Sequence, residues 1–123
     1  MTWTNWGRCE TAHPTEVLRP TTVQAVCDAV IRATATGRLI KVVGSGHSFT
    51  GIAVAPDIQL DLGALAGVLD VDRERKRVTV GGGTPLWQLT RLLARHGLAL
   101  ENMGDIDRQT ISGAISTGTH GTG

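Results

Sequence analysis

RLIKVVGSGHSFTG, residues 38–51, is the stretch on which the fold turns. Its first half, RLIKVV (38–43), is aliphatic and β-branched and predicts a short strand. Glycines at 44, 46 and 51 then predict a tight loop where backbone approaches a ligand closely. Two common phosphate patterns fail here. The dinucleotide fingerprint G-x-G-x-x-G must open a helix, but its third glycine falls on Phe49, and Gly51 and Pro56 would interrupt any helix beyond it. The Walker spacing is met by Gly46 and Gly51, but Ile52-Ala53 stand where Lys-Ser/Thr is required. A strand leading into a concavity of backbone N–H donors is left, a shape that suits a pyrophosphate. Ser45 and Ser48 can add hydroxyl donors. Glycine spacing alone does not separate such a site from a structural turn. His47 adds what an anion cradle does not need: an imidazole. Zinc is a poor explanation, because His13, His96 and His120 show no paired spacing with a cysteine or carboxylate. His96 reads as a helix C-terminal histidine favoured by the dipole.

Outward from this loop, Thr22 followed by Val23, Val26, Val30 and Ala33 predicts a helix with a threonine cap, ended at Gly37. Cys27 falls on what reads as its buried face. DIQLDL (57–62) alternates like a half-buried strand. VLDVDRERKRVTV (68–80) predicts a hairpin, with Leu69, Val71, Val78 and Val80 on the inner face and Asp72–Arg77 at a solvated tip. Thr84-Pro85 predicts the N-cap and first turn of a second helix, cored by Leu86, Leu89 and Leu93 and ended by Gly97. QTISGAIST (109–117) reads as a short helix among glycines. This element order predicts an α+β chain, with a boundary in LGALAG (62–67) separating a first part of about 1–63 from a second of 64–123.

Bulk composition narrows the function classes. The chain has 123 residues, 41% hydrophobic and 19% charged, with a net charge of +1. A near-neutral balance argues against a nucleic-acid footprint. No apolar run reaches the roughly 20 residues of a membrane helix. MTWTNWGRCE at the N-terminus lacks signal-peptide order, so a cytoplasmic location is expected, with peripheral membrane association left open. Cys9 and Cys27 fit no metal or redox spacing and read as free thiols. The 16 glycines cluster at 44–51, 81–83 and 104–123, at the ends of regular segments, unlike a flexible linker.

VGSGHSFT (43–50), with GLALENMGDIDRQTISGAISTGTHGTG (97–123) further along, resembles the flavin-binding domain (PCMH-type) of FAD-linked oxidases of the vanillyl-alcohol-oxidase superfamily. Within it, the chain is most similar to the gulonolactone, arabinonolactone and alditol oxidases and dehydrogenases; WTNW (3–6) and LRPTT (18–22) also resemble that branch.

The resemblance implies roles. Val43, Gly44, Ser45, Gly46, His47, Ser48 and Phe49 would wrap the FAD pyrophosphate. His47 matches the histidine that many members link covalently to the flavin 8α-methyl group. Gly104 and Asp105 match positions beside the isoalloxazine ring, and Thr110, Gly113, Thr117, Gly118, Thr119 and His120 match positions that contact FAD. Gly104 leaves room for oxygen, which favours an oxidase. Asp105 stands where relatives acting on open-chain alditols carry serine, which tilts the substrate toward an aldonolactone. Oxygen or another acceptor would reoxidise the flavin.

The family's flavin domain continues beyond the second motif and is followed by a substrate domain. The resemblance therefore implies an incomplete FAD-binding domain without the substrate domain, with no catalytic residue inside this chain. Asp105 and Asp107 are the nearest carboxylates. The expectation is a chain with little turnover of its own and an apolar edge prone to association. Its alternatives are a non-catalytic flavin-binding fragment and a phosphate-ligand binder unrelated to flavin. The rest of the enzyme, if encoded separately, would be its partner.

Overall fold

Ile58, Gln59 and Leu60 are consecutive and all buried, which a strand with one wet face does not allow. A computed structural model describes residues Met1–Gly123 and shows the reason. Strands β3 (Glu16–Leu18), β4 (Ile40–Val43) and β5 (Ile58–Asp61) form a parallel sheet in the order β3-β5-β4. β5 is therefore the central strand, with Ile58 paired to both Glu16 and Ile40. This corrects the expectation of a half-buried strand over 57–62: the alternating polar residue, Gln59, is enclosed as well.

This sheet belongs to the first of two units, Met1–Leu65 and Ala66–Gly123. Before it, a small antiparallel pair joins β1 (Trp3–Thr4) to β2 (Thr11–Ala12). Neither this pair nor β3 is legible in the sequence, because two or three residues carry no periodicity. Helix α1 (Val23–Ala35) connects β3 to β4. Thr22 caps it, its side chain accepting the Ala25 N–H at 3.1 Å. Past its end the Arg38 N–H reaches the Ala33 carbonyl at 2.9 Å, and Gly37 takes the left-handed φ of 65° that this closure needs. The buried stripe differs from the expected one. Ala29 and Ala33 face inward, while Val23, Val30 and Cys27 are exposed. Apolar residues occur on several sides of this helix, so periodicity alone does not choose the inward face. Small alanines on that face permit closer packing than valines would.

The second unit holds the hairpin of β6 (Val68–Asp72) and β7 (Arg77–Val80), helix α2 (Leu86–Ala94) and the short helix α3 (Ile111–Ser116). Its core is Leu86, Leu89, Leu93 and Ala114, with Val78, Val80, Leu98, Leu100, Met103 and Ile111 packed around it. A register shift between Val68 and Asp70 expels Leu69, so Val68 rather than Leu69 opposes Val80. Val71 and Val78, expected on one face, pair directly across the strands. Helices with separate small sheets make this the α+β organisation that the element order predicts.

Thr84 is not a side-chain cap. Pro85 occupies the cap position of α2, and no side chain bonds there. Thr84 is instead fully buried, donating to the Gly81 carbonyl at 2.6 Å and accepting the Gly67 N–H at 2.9 Å. Its own carbonyl accepts the Ile111 N–H at 2.8 Å. One threonine thus ties the start of the hairpin, the glycine run and the last helix together. No helix of the chain is long and apolar enough to cross a membrane.

Charge closes the first unit. Arg38 contacts Glu16 on β3 and Asp57 just before β5, each at 2.6 Å, and Arg32 of α1 contacts Glu16 at 2.6 Å. Hydrogen bonds from Arg32 and then Arg38 hold the Glu16 carboxyl below its usual range. Those from Arg38 and then Thr15 do the same for Asp57. A carboxyl lowered in the folded state contributes stability above its ordinary range and loses it as pH falls through the lowered value. Arg38→Ala is therefore expected to lower the melting temperature most near neutral pH, the gap to wild type closing on acidification. Thermal melts across a pH series check this. Thr84→Val keeps the shape and the backbone bond from the Thr84 N–H to the Gly81 carbonyl at 3.1 Å but strands the Gly67 N–H, and is expected to cost about 1–3 kcal/mol in chemical denaturation.

Candidate functional site

The glycine loop leaves β4 at Val43, which is buried and paired to Asp61. A loop of this composition cannot brace itself, and the N-terminal hairpin does so. The Gly46 carbonyl accepts the Trp6 N–H at 2.7 Å, the Ser48 carbonyl accepts Asn5 Nδ2 at 2.8 Å, and the Phe49 carbonyl faces Cys9 Sγ at 3.5 Å. Gly46 sits at φ 68°, and a Cβ there would come within 3.0 Å of the Trp3 ring. Both facts demand glycine.

Asn5 is the hub. It is buried, and its Oδ1 accepts the N–H groups of Cys9 at 3.0 Å and Glu10 at 3.1 Å while Nδ2 holds the loop. The same Nδ2 lies 3.2 Å from Cys9 Sγ. Gly7 completes the fit, since a Cβ there would meet the Phe49 ring at 2.8 Å.

These contacts consume carbonyls and leave donors. The N–H groups of Ser45, Gly46, His47, Ser48 and Phe49 have no acceptor within the chain, and neither do the hydroxyls of Ser45 and Ser48. Successive free N–H groups around a left-handed residue form an anion-binding nest. His47 sits within it, half-buried, its ring stacked on Trp6 with centroids 5.3 Å apart and planes 16° apart. Phe49, largely exposed, meets the other side of the cluster edge-on to Trp6 at 6.1 Å.

In the second unit, residues 102–104 run against the tail 119–123. Asn102 Oδ1 accepts the Gly121 N–H at 2.6 Å, and Nδ2 donates to the Gly123 carbonyl at 3.0 Å. A Cβ on Gly121 would land on the Met103 carbonyl, and one on Gly104 would meet Thr119 Cγ2 at 3.0 Å. Gly104, Thr119 and His120 are thereby brought together. Thr117 turns its hydroxyl back to the Gly113 carbonyl at 3.0 Å and lies 3.4 Å from that of Thr119. Gly118 makes the turn at φ 64°, and His120 Nδ1 contacts the Gly121 carbonyl at 2.8 Å. Asp105 is exposed, and Asp107 is half-buried and pairs loosely with Arg108 at 3.6 Å.

Two polar atoms in this unit are buried without partners: Gln109 Oε1 and Thr110 Oγ1. Buried polar atoms are rarely orphaned. An acceptor and a hydroxyl on successive residues suit a ligand that offers both donors and acceptors, as a flavin ring and its ribityl chain do. The donor nest of the first unit, taken by itself, suits a diphosphate. Each unit's residues therefore fit a part of FAD.

Sequence reasoning did not single out Asn5, Trp6, Asn102 or Gln109 as site residues. Asn5 lies 43 positions from the carbonyl it holds, and no local pattern reports such a contact. The one available signal is an asparagine at the first position of the tight Asn5–Arg8 turn, which the Arg8 N–H closes on the Asn5 carbonyl at 3.0 Å and where Arg8 has φ 56°.

Comparison with known proteins matches residues 14–123 to a family described as FAD binding domain. The chain is 44% identical over 121 residues to an L-gulono-1,4-lactone dehydrogenase of Mycobacterium tuberculosis, covering 98% of this chain and 28% of that protein. It is 41% identical over 122 residues to an alditol oxidase of a Streptomyces species, covering 98% of this chain and 29% of that protein. The chain thus spans less than a third of the length of these relatives. Among solved structures, a solvent-stable cholesterol oxidase superposes with a TM-score of 0.87 at 19% identity, over 98% of this chain and 24% of the other. At that identity the likeness speaks to fold alone.

The hub role of Asn5 gives a direct test. Asn5→Ala leaves the Cys9 and Glu10 N–H groups and the Ser48 carbonyl without their partner. It is expected to destabilise the first unit by about 1–3 kcal/mol. Hydrogen exchange should show faster amides at Cys9 and Glu10, with those of α2 unchanged.

Proposed function

This chain belongs to the FAD-binding domain family, and we propose that it is the cofactor-anchoring portion of an oxidoreductase acting on a sugar-1,4-lactone or an alditol. The observation that carries the reading is the row of unpaired N–H groups over Ser45–Phe49, braced from behind by Asn5 and Trp6. Similarity to a lactone dehydrogenase and an alditol oxidase supports the substrate class. FAD, when bound, supplies the two-electron acceptor for a substrate C–H hydrogen, and oxygen or another acceptor takes the electrons onward.

In this reading the 43–49 loop donates its N–H groups to the diphosphate, and Ser45 and Ser48 add hydroxyls. Thr110 and Gln109 receive polar edges of the cofactor, and Gly104, Gly113 and Gly118 leave backbone bare for a planar ring to approach. Thr117, Thr119 and His120 line the same approach, and Asp105 lies beside it. His47 is the attachment point. FAD, when bound, would supply the 8α-methyl carbon for a C–N bond from the unprotonated imidazole nitrogen; the other ring nitrogen would give up its proton and the methyl carbon one hydrogen, and dioxygen would take the two electrons and two protons as hydrogen peroxide. The nitrogen lone pair makes a neutral imidazole a competent nucleophile. We assign no catalytic residue within the chain; it holds and tunes the cofactor, and substrate is positioned by other parts of such an enzyme.

Expression with FAD available checks this. The purified chain is expected to be yellow and to keep its flavin fluorescence after acid precipitation. His47→Ala should still bind flavin but release all of it in acid. Colourless protein that does not respond to added FAD would overturn the reading.

A further inference from the structure

We propose that Asn5 and Trp6 are a positioning pair that sets the orientation of the His47 imidazole, an inference that rests on reading His47 as the flavin's attachment point. A histidine ring is ordinarily oriented by a hydrogen bond to one of its nitrogens, and that bond also selects the reactive one. His47 has no such bond: neither ring nitrogen meets a partner in the chain, although the ring is half-buried. The contact that defines its plane is the Trp6 indole, stacked at 5.3 Å and 16°. An offset stack covers part of one face and leaves both nitrogens free along the ring edge, as required for a nitrogen that must reach a carbon.

The backbone that carries the indole is held to the loop. The Trp6 backbone N–H bonds the Gly46 carbonyl at 2.7 Å, and Asn5 Nδ2 bonds the Ser48 carbonyl at 2.8 Å. Residues 46 and 48 flank His47, so the two bonds clamp the backbone on either side of it. Phe49 meets the same indole edge-on and limits its rotation. Burial is not the reason for the tryptophan, since Trp6 is 62% exposed. Its face-to-face placement on the imidazole is what remains to explain it.

The pair acts through His47 and touches no reacting atom, so its test follows attachment and ring geometry separately. In the 123-residue chain expressed with FAD, Trp6→Ala is expected to slow acid-stable flavin incorporation about tenfold, as misplacement of a reacting group does. Trp6→Phe, which can still stack, should restore most of the rate. Noncovalent FAD affinity, measured in a His47→Ala background, should not change when Trp6→Ala is added, because Trp6 braces the loop through its backbone N–H, which alanine keeps. Attachment at the wild-type rate in Trp6→Ala would overturn the proposal, and so would a loss of noncovalent affinity in that background.

Proton NMR of the chain without FAD supplies a readout that needs no flavin. The His47 ring protons are expected upfield under the indole ring current, returning to ordinary histidine positions in Trp6→Ala. Should the wild-type chain attach no flavin, the attachment point fails, and this shift alone decides whether the pair orients His47. Unshifted His47 resonances in the wild type would overturn it.

Discussion

The carboxamide of Asn5 is the contact on which the first unit's site depends. A glycine-rich loop pays a high entropic cost to hold one shape and has few side chains with which to hold it. Asn5 supplies the missing constraint from another segment. Its oxygen closes the N-terminal hairpin on the Cys9 and Glu10 N–H groups, and its nitrogen holds the Ser48 carbonyl. Because it is buried, each of these bonds is made at the expense of no competing water. Thr84 plays the corresponding part in the second unit, where its hydroxyl joins Gly67 and Gly81.

This bracing has a consequence for chemistry. The hairpin engages the loop through carbonyls, and the N–H groups are left without acceptors in the chain. A single arrangement therefore stiffens the loop while leaving its donors free. Stacking of His47 on Trp6 adds a second function at the same place, since the ring is aligned by its face while its nitrogens stay uncommitted. In the second unit, Gln109 Oε1 and Thr110 Oγ1 are likewise buried without partners in the chain.

Much of this was legible in the residues. Long elements with a single strong signal read correctly: α2 from its leucines, the hairpin from its alternation, α1 from Thr22 to Gly37. Errors arose where two signals competed or none existed. Apolar residues on several sides of α1 left its inward face undecided, and Cys27 emerged exposed. A bulge moved Leu69 outward, which no alternation rule foresees. The sequence DIQLDL has the alternation of a half-wet strand, yet pairing on both edges encloses it.

The sequence by itself determined that a strand would run into a tight glycine turn at 43–49, and its spacing excluded the two common phosphate motifs. It also determined the family, through two long motifs whose order and length are specific. Only the tertiary structure decided what makes that loop competent. Asn5 and Trp6 act across more than 40 residues, through single hydrogen bonds and one ring stack. Such contacts leave no periodicity in the chain, because they depend on where the backbone returns in space and not on a residue's neighbours in sequence.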